Sequence, residues 1–292
     1  MSGRKRVLLS AFLGLALVAG GCGEEDTTVG GGGGGGGGEA TPEPTFTTLE
    51  EGTLQVASCL DFPPFESVKG GDEVGFDVDL AEEVGNRLGL EVQWVRADFD
   101  TVFTAIAANQ FDMVAAAVTS TGDLGEERDQ IVDFSDPYFN SRQSLAVNVQ
   151  ETPDIASTDD LGEGDVIAVQ RGSTGKAWAE DNLTDQGVEL RTFQVVSDMF
   201  RDLEAGNVTG IINDEPGSAG AIEAQGLEGT VEVVEPIDTN EKYSFVFSPD
   251  NPELRDSANQ ALAEIIEDGT YATIFEQYFP GVEVPPEYQP SA

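Results

Sequence analysis

Short apolar segments alternate with amphipathic helical segments over most of this chain, and this alternation restricts the possible folds more than any other feature. Residues 54–58 form the first predicted strand, and a helix with apolar residues at every fourth position follows it. We expect Asp77 to cap that helix and Gly89 to end it. Strands that alternate with helices predict parallel sheets covered on both faces.

The same alternation continues in two series. Further strands are predicted at 92–95, 111–116, 166–169, 190–193, 210–213 and 243–247. Further helices are predicted from Asp100 to about Asn109, from 172 to 178, from Asp198 to Leu203, and at 254–266 and 271–278. The sequence therefore predicts an α/β protein with two lobes, each built on its own sheet.

Polar and aromatic residues follow several of the predicted strands. They are Phe62, residues 117–119, residues 172–174 and Asp214. In open α/β sheets, ligands bind beyond the carboxyl ends of the strands. A helix N-terminus suits a carboxylate and Asp214 suits an ammonium group, so this set is compatible with a zwitterionic ligand.

The composition excludes several classes of site. Among 292 residues there are 55 acidic and 14 basic ones, giving a formal charge of -41. Nucleic acids and anionic membrane surfaces require a basic face, so neither is an expected partner. The chain has no histidine and only two cysteines, which excludes a Ser-His-Asp triad, a histidine-ligated metal and a cysteine zinc cluster. We expect no cofactor and no metal.

The first residues are typical of a targeting segment. Arg4, Lys5 and Arg6 precede a short apolar stretch, and residues 19–22 (AGGC) resemble the lipobox of bacterial lipoproteins. We predict a signal peptide at 1–21 and lipidation of Cys22, with an ordinary secretory signal as the alternative.

The following segment, residues 22–49, contains an unbroken glycine run and is predicted to be a flexible tether. The folded body would then be extracytoplasmic and held at the membrane by the lipid alone.

Several motifs carry a family resemblance when taken in order. They are DFPPFE at 61–66, VGFDVDLA at 74–81, IVDFSDPY at 131–138, QRGST at 170–174 and DGTY at 268–271. Together they resemble family 3 of the solute-binding proteins, which serve polar amino-acid ABC importers.

The resemblance implies a two-lobed periplasmic-binding-protein-like fold. The ligand cleft would lie between the lobes, and crossover strands would lie near 145–147 and 244–246. Lobe 1 would comprise 50–146 and 240–280, lobe 2 would comprise 147–239, and 281–292 would be a C-terminal tail. The implied function is to capture a polar amino acid as a monomer and deliver it to the ABC permease.

The resemblance also assigns individual ligand contacts. Phe62 and Phe99 would sandwich the ligand side chain. Ala117, through its carbonyl, and Thr119 would contact the α-ammonium group, and Asp214 would pair with it from the opposite lobe. Two groups would bind the α-carboxylate, namely the Arg128 guanidinium and the Thr174 backbone N–H.

Two departures from the family pattern affect these assignments. An apparent insertion of residues 122–127 precedes Arg128. Cys59 stands where several family members have an aspartate, which favours polar or acidic amino acids over lysine or arginine. Gln170 and Asn213 are candidates for contacting a polar side chain.

Two questions stay open at this stage. Cyclohexadienyl dehydratases share this fold, and Glu66 or Glu215 would be the candidate acid in such an enzyme, although we expect a binding protein. The acidic composition resembles that of proteins from salty habitats. The alternative is an acidic surface without a specific role.

Overall fold

The computed structural model describes residues 46–291. The predicted signal peptide and Cys22 lie outside these residues. The described strands are β1 (Thr53–Ser58), β2 (Ser67–Lys69), β3 (Asp72–Val74), β4 (Glu91–Arg96), β5 (Met113–Val114), β6 (Asp133–Phe134), β7 (Phe139–Asn148), β8 (Val166–Gln170), β9 (Glu189–Phe193), β10 (Gly210–Asp214), β11 (Val231–Tyr243) and β12 (Val246–Phe247). The described helices are α1 (Phe76–Leu88), α2 (Phe99–Ala107), α3 (Gly122–Arg128), α4 (Thr174–Leu183), α5 (Val196–Glu204), α6 (Glu215–Gln225), α7 (Pro252–Glu267) and α8 (Thr270–Tyr278).

All the described strands except β2 and β3, which pair with each other, form two five-stranded sheets. The first sheet has the order β4-β1-β5-β12-β6, and the second has the order β11-β7-β10-β8-β9. Helices α1, α2, α7 and α8 pack with the first sheet to form the first lobe, and α4, α5 and α6 pack on the second to form the second lobe. The two-lobed α/β architecture agrees with the prediction.

The sheets are mixed, whereas the alternation of strands and helices predicted parallel ones. In the first sheet β1 runs parallel to β4 and β5, but β12 is antiparallel to β5 and β6. In the second sheet β8 is parallel to β9 and β10, but β7 is antiparallel to β10 and β11. The antiparallel strands include those that flank the two crossings of the chain between the sheets.

The first crossing lies earlier than predicted. Residues 145–147 pair with β10 on one side and β11 on the other, and therefore lie inside the second sheet. The chain leaves the first sheet after β6 and enters the second at Phe139. It returns between Tyr243 and Val246, where the second crossover was predicted.

The helix starts predicted at Asp77, Asp100 and Asp198 are wrong, because each helix begins earlier in the chain. Helix α1 begins at Phe76, α2 has Asp98 at its N-cap, and α5 has Val195 there. The aspartates have other partners instead. Asp100 accepts a hydrogen bond from Gln194 Nε2 at 2.7 Å, and Asp198 pairs with Arg201.

Two helices were absent from the sequence prediction, and one strand is shorter than predicted. Helix α3 occupies the apparent insertion at 122–127, and α6 follows directly from Asp214. The strand predicted at 111–116 has ladder pairing only at Met113–Val114. Beyond it, residues 115–118 continue as a buried loop toward the cleft.

Both ends of the described chain contact the folded body. Asn251 Nδ2 donates to the Thr47 carbonyl at 2.8 Å, and the Leu49 N–H donates to Asp112. Residues 46–49, predicted as part of the tether, are therefore fixed to the first lobe. In the predicted C-terminal tail, Tyr288 is 3% exposed and its ring lies 5.4 Å from that of Tyr271. None of the helices within 46–291 has the length and apolar character needed to span a membrane.

Candidate ligand-binding cleft

The residues that the resemblance assigns to the ligand come together at one place. All of them line a single cleft between the two lobes: Phe62, Phe99, Ala117, Thr119, Arg128, Thr174 and Asp214. The cleft lies at the carboxyl ends of strands from both sheets, as expected for open α/β sheets. Contact of each residue with a ligand stays a prediction.

Arg128 is a buried cation at the end of α3. It is 5% exposed, and it forms no ion pair with any carboxylate in the described part of the chain. Its Nη1 donates to the Thr119 carbonyl and its Nη2 to the Gly172 carbonyl, both at 2.8 Å. The guanidinium also lies 4.5 Å from the ring centroid of Phe103 and 5.6 Å from that of Phe99.

The burial of Arg128 has an electrostatic consequence. Desolvation lowers the pKa of the guanidinium to about 10, although the charges of Asp214 and Glu241 act in the opposite direction. A buried cation without a paired anion is costly, and a ligand carboxylate would relieve that cost.

The N-terminus of α4 faces the same part of the cleft. Ser173 is its N-cap, and the Ser173 side chain accepts a hydrogen bond from the Lys176 N–H at 3.1 Å. Thr174 is the first helical residue, so its N–H has no acceptor within the helix. Arg128 reaches the Gly172 carbonyl just before this helix, and the guanidinium and the helix N-terminus therefore converge on one anion-binding position.

Asp214 provides the opposite charge from the end of β10. Its side chain accepts hydrogen bonds from Gln143 Nε2 at 2.6 Å and from the Tyr243 hydroxyl. Burial, followed by repulsion from Glu241, raises the pKa of Asp214 to about 7. A ligand ammonium group would lower that pKa again by favouring the carboxylate.

Ala117 is held in a conformation that few alanines adopt. Its φ angle is 47°, in the left-handed region, which costs free energy for a residue with a Cβ. Its N–H donates at 2.8 Å to Oδ2 of Asp77, which also accepts from the Tyr138 hydroxyl at 2.7 Å. Asp77, predicted as a helix cap, instead fixes the backbone of the cleft.

The threonines that follow Ala117 have different roles. Thr119 is buried, and its hydroxyl donates to Glu241 at 3.1 Å. Thr121 lies outside the cleft lining. Its hydroxyl accepts from the Lys242 N–H at 3.1 Å, so it fixes the loop to β11.

The predicted aromatic pair lines the cleft from the first lobe. Phe99 is 9% exposed and packs edge-on against Phe103, with ring centroids 5.6 Å apart. Phe62 is 8% exposed, stacks on Phe65 and contacts Gly217 of α6 in the second lobe. Phe62 therefore lies at the junction of the two lobes.

Sequence reasoning missed most of the polar lining on one side of the cleft. This lining contains three carboxylates and one guanidinium beside the thiol of Cys59: Asp61, Glu66, Asp98 and Arg96. Glu66 is 1% exposed, and its Oε2 has no hydrogen-bond partner among the described residues. Desolvation, then repulsion from nearby carboxylates, raises the pKa of Glu66 well above its usual value.

The two acids considered for an enzyme are separated by the structure. Glu66 lines the cleft. Glu215 does not; it pairs with Arg142, and both line a separate groove. Glu215 is therefore not positioned to act as an acid in the cleft.

Gln143 and Glu241 were also missed, and both lie in the strands that connect the lobes. The register between β7 and β11 shifts between Ile237 and Glu241. Such a bulge changes the direction of the following side chain, and Glu241 is only 6% exposed. Nothing in the sequence marks this register shift.

Several contacts hold the two lobes together in the closed arrangement described here. Asp61 accepts a hydrogen bond from the Ser197 N–H at 3.1 Å, at the start of α5. Asp100 accepts from Gln194 and lies 3.7 Å from Arg171. These contacts join the rims of the cleft.

Comparison with known proteins agrees with this architecture. Residues 54–281 match the family described as bacterial extracellular solute-binding proteins, family 3. This chain belongs to that family. The match covers both lobes and includes every predicted cleft residue.

Several curated relatives and solved structures are similar to this chain over most of their length. A probable histidine-binding protein of Neisseria gonorrhoeae is 30% identical, with 77% of this chain and 82% of the relative covered. A lysine/arginine/ornithine-binding periplasmic protein of Escherichia coli (strain K12) is 27% identical, with 82% and 92% covered. The structure of an ancestral arginine-binding protein bound to arginine has a TM-score of 0.73 and 35% identity, with 78% of this chain and 98% of that chain covered.

Proposed function

We propose that this chain is the extracytoplasmic binding component of an amino-acid ABC importer and that it captures a cationic amino acid between its lobes. The observation that carries the proposal is the buried Arg128, which has no ion-pair partner within 46–291 and shares a cleft with the carboxylate of Asp214. A zwitterion supplies the opposite charge for each of them.

The main-chain groups of an amino acid fit the two charged positions. Arg128 and the Thr174 N–H are suited to the α-carboxylate, because the guanidinium and a helix N-terminus both favour an anion. Asp214 is suited to the α-ammonium group, with Thr119 and the Ala117 carbonyl beside it. Phe62 and Phe99 would then enclose the side chain.

The acidic lining supports a cation at the side-chain end. Asp61, Glu66 and Asp98 outnumber Arg96 there, and Glu66 has an oxygen without a partner. A guanidinium or ammonium group would pair with Glu66 and offset its burial. We therefore rank arginine and lysine above the acidic amino acids, which reverses the order expected from Cys59 alone. The names of the relatives point in the same direction.

The remaining parts of the proposal concern the surroundings of the folded body. Delivery to a permease follows from the transport role of the family. Anchoring by a lipid on Cys22 and a monomeric state are supported by the sequence pattern and by the resemblance. Mass spectrometry of the membrane-extracted protein would detect the diacylglyceryl group, and light scattering would give the mass in solution.

The ligand can be identified by thermal shifts against all twenty amino acids. A ligand at about 100 times its Kd adds about 2.7 kcal/mol, or roughly 5–10 °C in a protein of this size. We expect shifts with arginine and lysine that are lost in Arg128→Ala and Asp214→Ala. They should persist in the control Arg142→Ala, which removes a cation outside the cleft.

Two results would contradict the proposal. One is the absence of a shift with every amino acid while the protein is folded. The other is turnover of prephenate or arogenate that depends on Glu66, which would make the chain an enzyme with Glu66 as its acid.

A further inference from the structure

Glu241 contacts both sides of the cleft through one carboxylate. Its Oε2 accepts a hydrogen bond from the Thr119 hydroxyl at 3.1 Å and from the Thr174 hydroxyl at 3.2 Å. Thr119 lies in the loop that follows β5 of the first lobe, whereas Thr174 is the first residue of α4 in the second lobe. A single oxygen atom therefore joins the two threonines that are predicted to contact the ligand.

The carboxylate is fixed from the strands that connect the lobes. Gln143 of β7 directs its Nε2 toward Glu241, at 3.1 Å from Oε1 and 3.0 Å from Oε2, and toward Asp214 at 2.6 Å. Glu241 is buried directly after the register shift in β11, so its position depends on the backbone of the connection itself.

Arg128 and Glu241 hold the same segment from two directions. Arg128 donates to the Thr119 carbonyl and Glu241 accepts from the Thr119 hydroxyl. Arg128 also reaches the Gly172 carbonyl, two residues before Thr174. The guanidinium and the carboxylate thus form two links between the segment at Thr119 and the start of α4.

We propose that Glu241 is a positioning residue that links Thr119 to Thr174 when the cleft closes and so retains the bound ligand. It acts through the two threonines and needs no contact with the ligand. The inference rests on the proposed amino-acid-binding function, and it assigns a role in closure to a residue of the connecting strand.

The test compares Glu241→Gln with Glu232→Gln. Glu232 lies on the same strand, is exposed, and loses the same charge in the variant. In Glu241→Gln the hydrogen bonds from the Thr119 and Thr174 hydroxyls lose their charge assistance, and an amide N–H₂ faces the Gln143 donor. We expect the arginine dissociation rate to rise about tenfold or more, with little change in the association rate or in the melting temperature without ligand. Glu232→Gln should behave as the unmodified chain does.

A second variant distinguishes a positioning role of Glu241 from a general loss of binding caused by structural damage. Thr174→Val removes the hydroxyl but keeps the backbone N–H and the side-chain volume. If Glu241 acts through Thr174, the double variant should lose less affinity than the product of the two single losses. Fully multiplicative losses, or a dissociation rate in Glu241→Gln equal to that of the unmodified chain, would overturn the proposal.

The failure of the proposed function gives a different result. In that case the unmodified chain and Glu232→Gln would bind no amino acid at all. Small-angle scattering of the same proteins then tests the link directly. A larger radius of gyration for Glu241→Gln than for Glu232→Gln supports it, and equal radii reject it.

Discussion

Asp77 combines complete burial with a role in shaping the cleft. Burial raises its pKa to about 6, above the unfolded value of about 3.9, and its Oδ1 has no partner in the described structure. The folded state therefore holds the proton more tightly than the unfolded state does. The stability contributed by this proton is complete below about pH 4 and is lost as the pH rises through about 6.

Asp77→Asn should flatten this pH dependence. Asparagine keeps one oxygen for the Ala117 N–H and the Tyr138 hydroxyl and places an uncharged amide at the unpartnered site. We expect the fall in the free energy of unfolding between pH 4 and 7 to shrink by up to about 3 kcal/mol. Urea unfolding at both pH values measures this, with exposed Asp72→Asn as control. An unchanged slope would show that Asp77 does not titrate in this range.

Glu66 predicts a link between ligand binding and proton release. In the empty cleft its raised pKa favours the protonated form, whereas a cationic side chain favours the carboxylate. Arginine affinity should therefore increase as the pH rises through the pKa of Glu66. Glu66→Gln should weaken arginine binding by about tenfold or more and reduce the protons released on binding.

Calorimetry in two buffers of different ionisation enthalpy measures those protons. The affinity for neutral glutamine serves as the control, because glutamine has no cationic side chain that could form an ion pair with Glu66. The assignment of Glu66 to the ligand side chain would be wrong if arginine bound Glu66→Gln as tightly as the unmodified chain.

Local sequence features were sufficient to place the residues that we propose to bind the ligand's main-chain groups, but not the residues that support them. Thr174 lies in a family motif, Arg128 lies just before another, and Asp214 directly follows a predicted strand. Asp77 lies inside such a motif, yet its contacts with residues 40 and 61 positions away depend on the assembled lobe. Glu241 depends on a register shift, which one strand's sequence cannot specify.

At the scale of single elements, α6 shows why a helix was missed. Its first six residues are Glu-Pro-Gly-Ser-Ala-Gly, and glycine is unfavourable inside helices. The structure shows what these glycines allow. A Cβ at Gly217 would lie 2.1 Å from Cζ of Phe62, and one at Gly220 would lie 2.2 Å from the Pro63 carbonyl oxygen. The first lobe thus packs directly on the backbone of α6.

Gly217→Ala should therefore oppose closure without harming either lobe. Alanine favours the helix by about 1 kcal/mol, so the melting temperature without ligand should stay constant or rise. Arginine affinity should fall about tenfold or more, because Phe62 must move before the cleft can close. Gly162→Ala, where an added Cβ meets no atom within 4 Å, is the control. Unchanged affinity in Gly217→Ala would mean that the lobes need not approach this closely.

The two crossings between the sheets mark another limit of local patterns. The apolar run at 145–147 was predicted as a crossover, but it lies within a ten-residue strand of the second sheet. An apolar strand has the same sequence pattern in the middle of a sheet and at its border. Only its pairing with β10 and β11 distinguishes the two cases.

At the scale of the whole molecule, the formal charge of -41 predicts a dependence of stability on salt. Exposed like charges repel one another in the compact state, and salt shortens the screening length from about 30 Å at 0.01 M to about 3 Å at 1 M. We expect the melting temperature to rise from millimolar to molar sodium chloride. Sucrose at matched osmolality controls for solute exclusion. Insensitivity to salt would count against adaptation to a salty habitat.

The closed cleft also contains a natural chemical reporter. Cys59 lines the cleft and is the one free cysteine among residues 46–291, and burial raises the pKa of its thiol well above the usual value. Alkylation of this half-buried thiol by a bulky maleimide should be faster while the lobes are apart. The alkylation rate of the unmodified protein, measured from the mass of the peptide that contains Cys59, would therefore report opening of the cleft. Saturating ligand should lower this alkylation rate, so opening of the cleft can be followed without an engineered label.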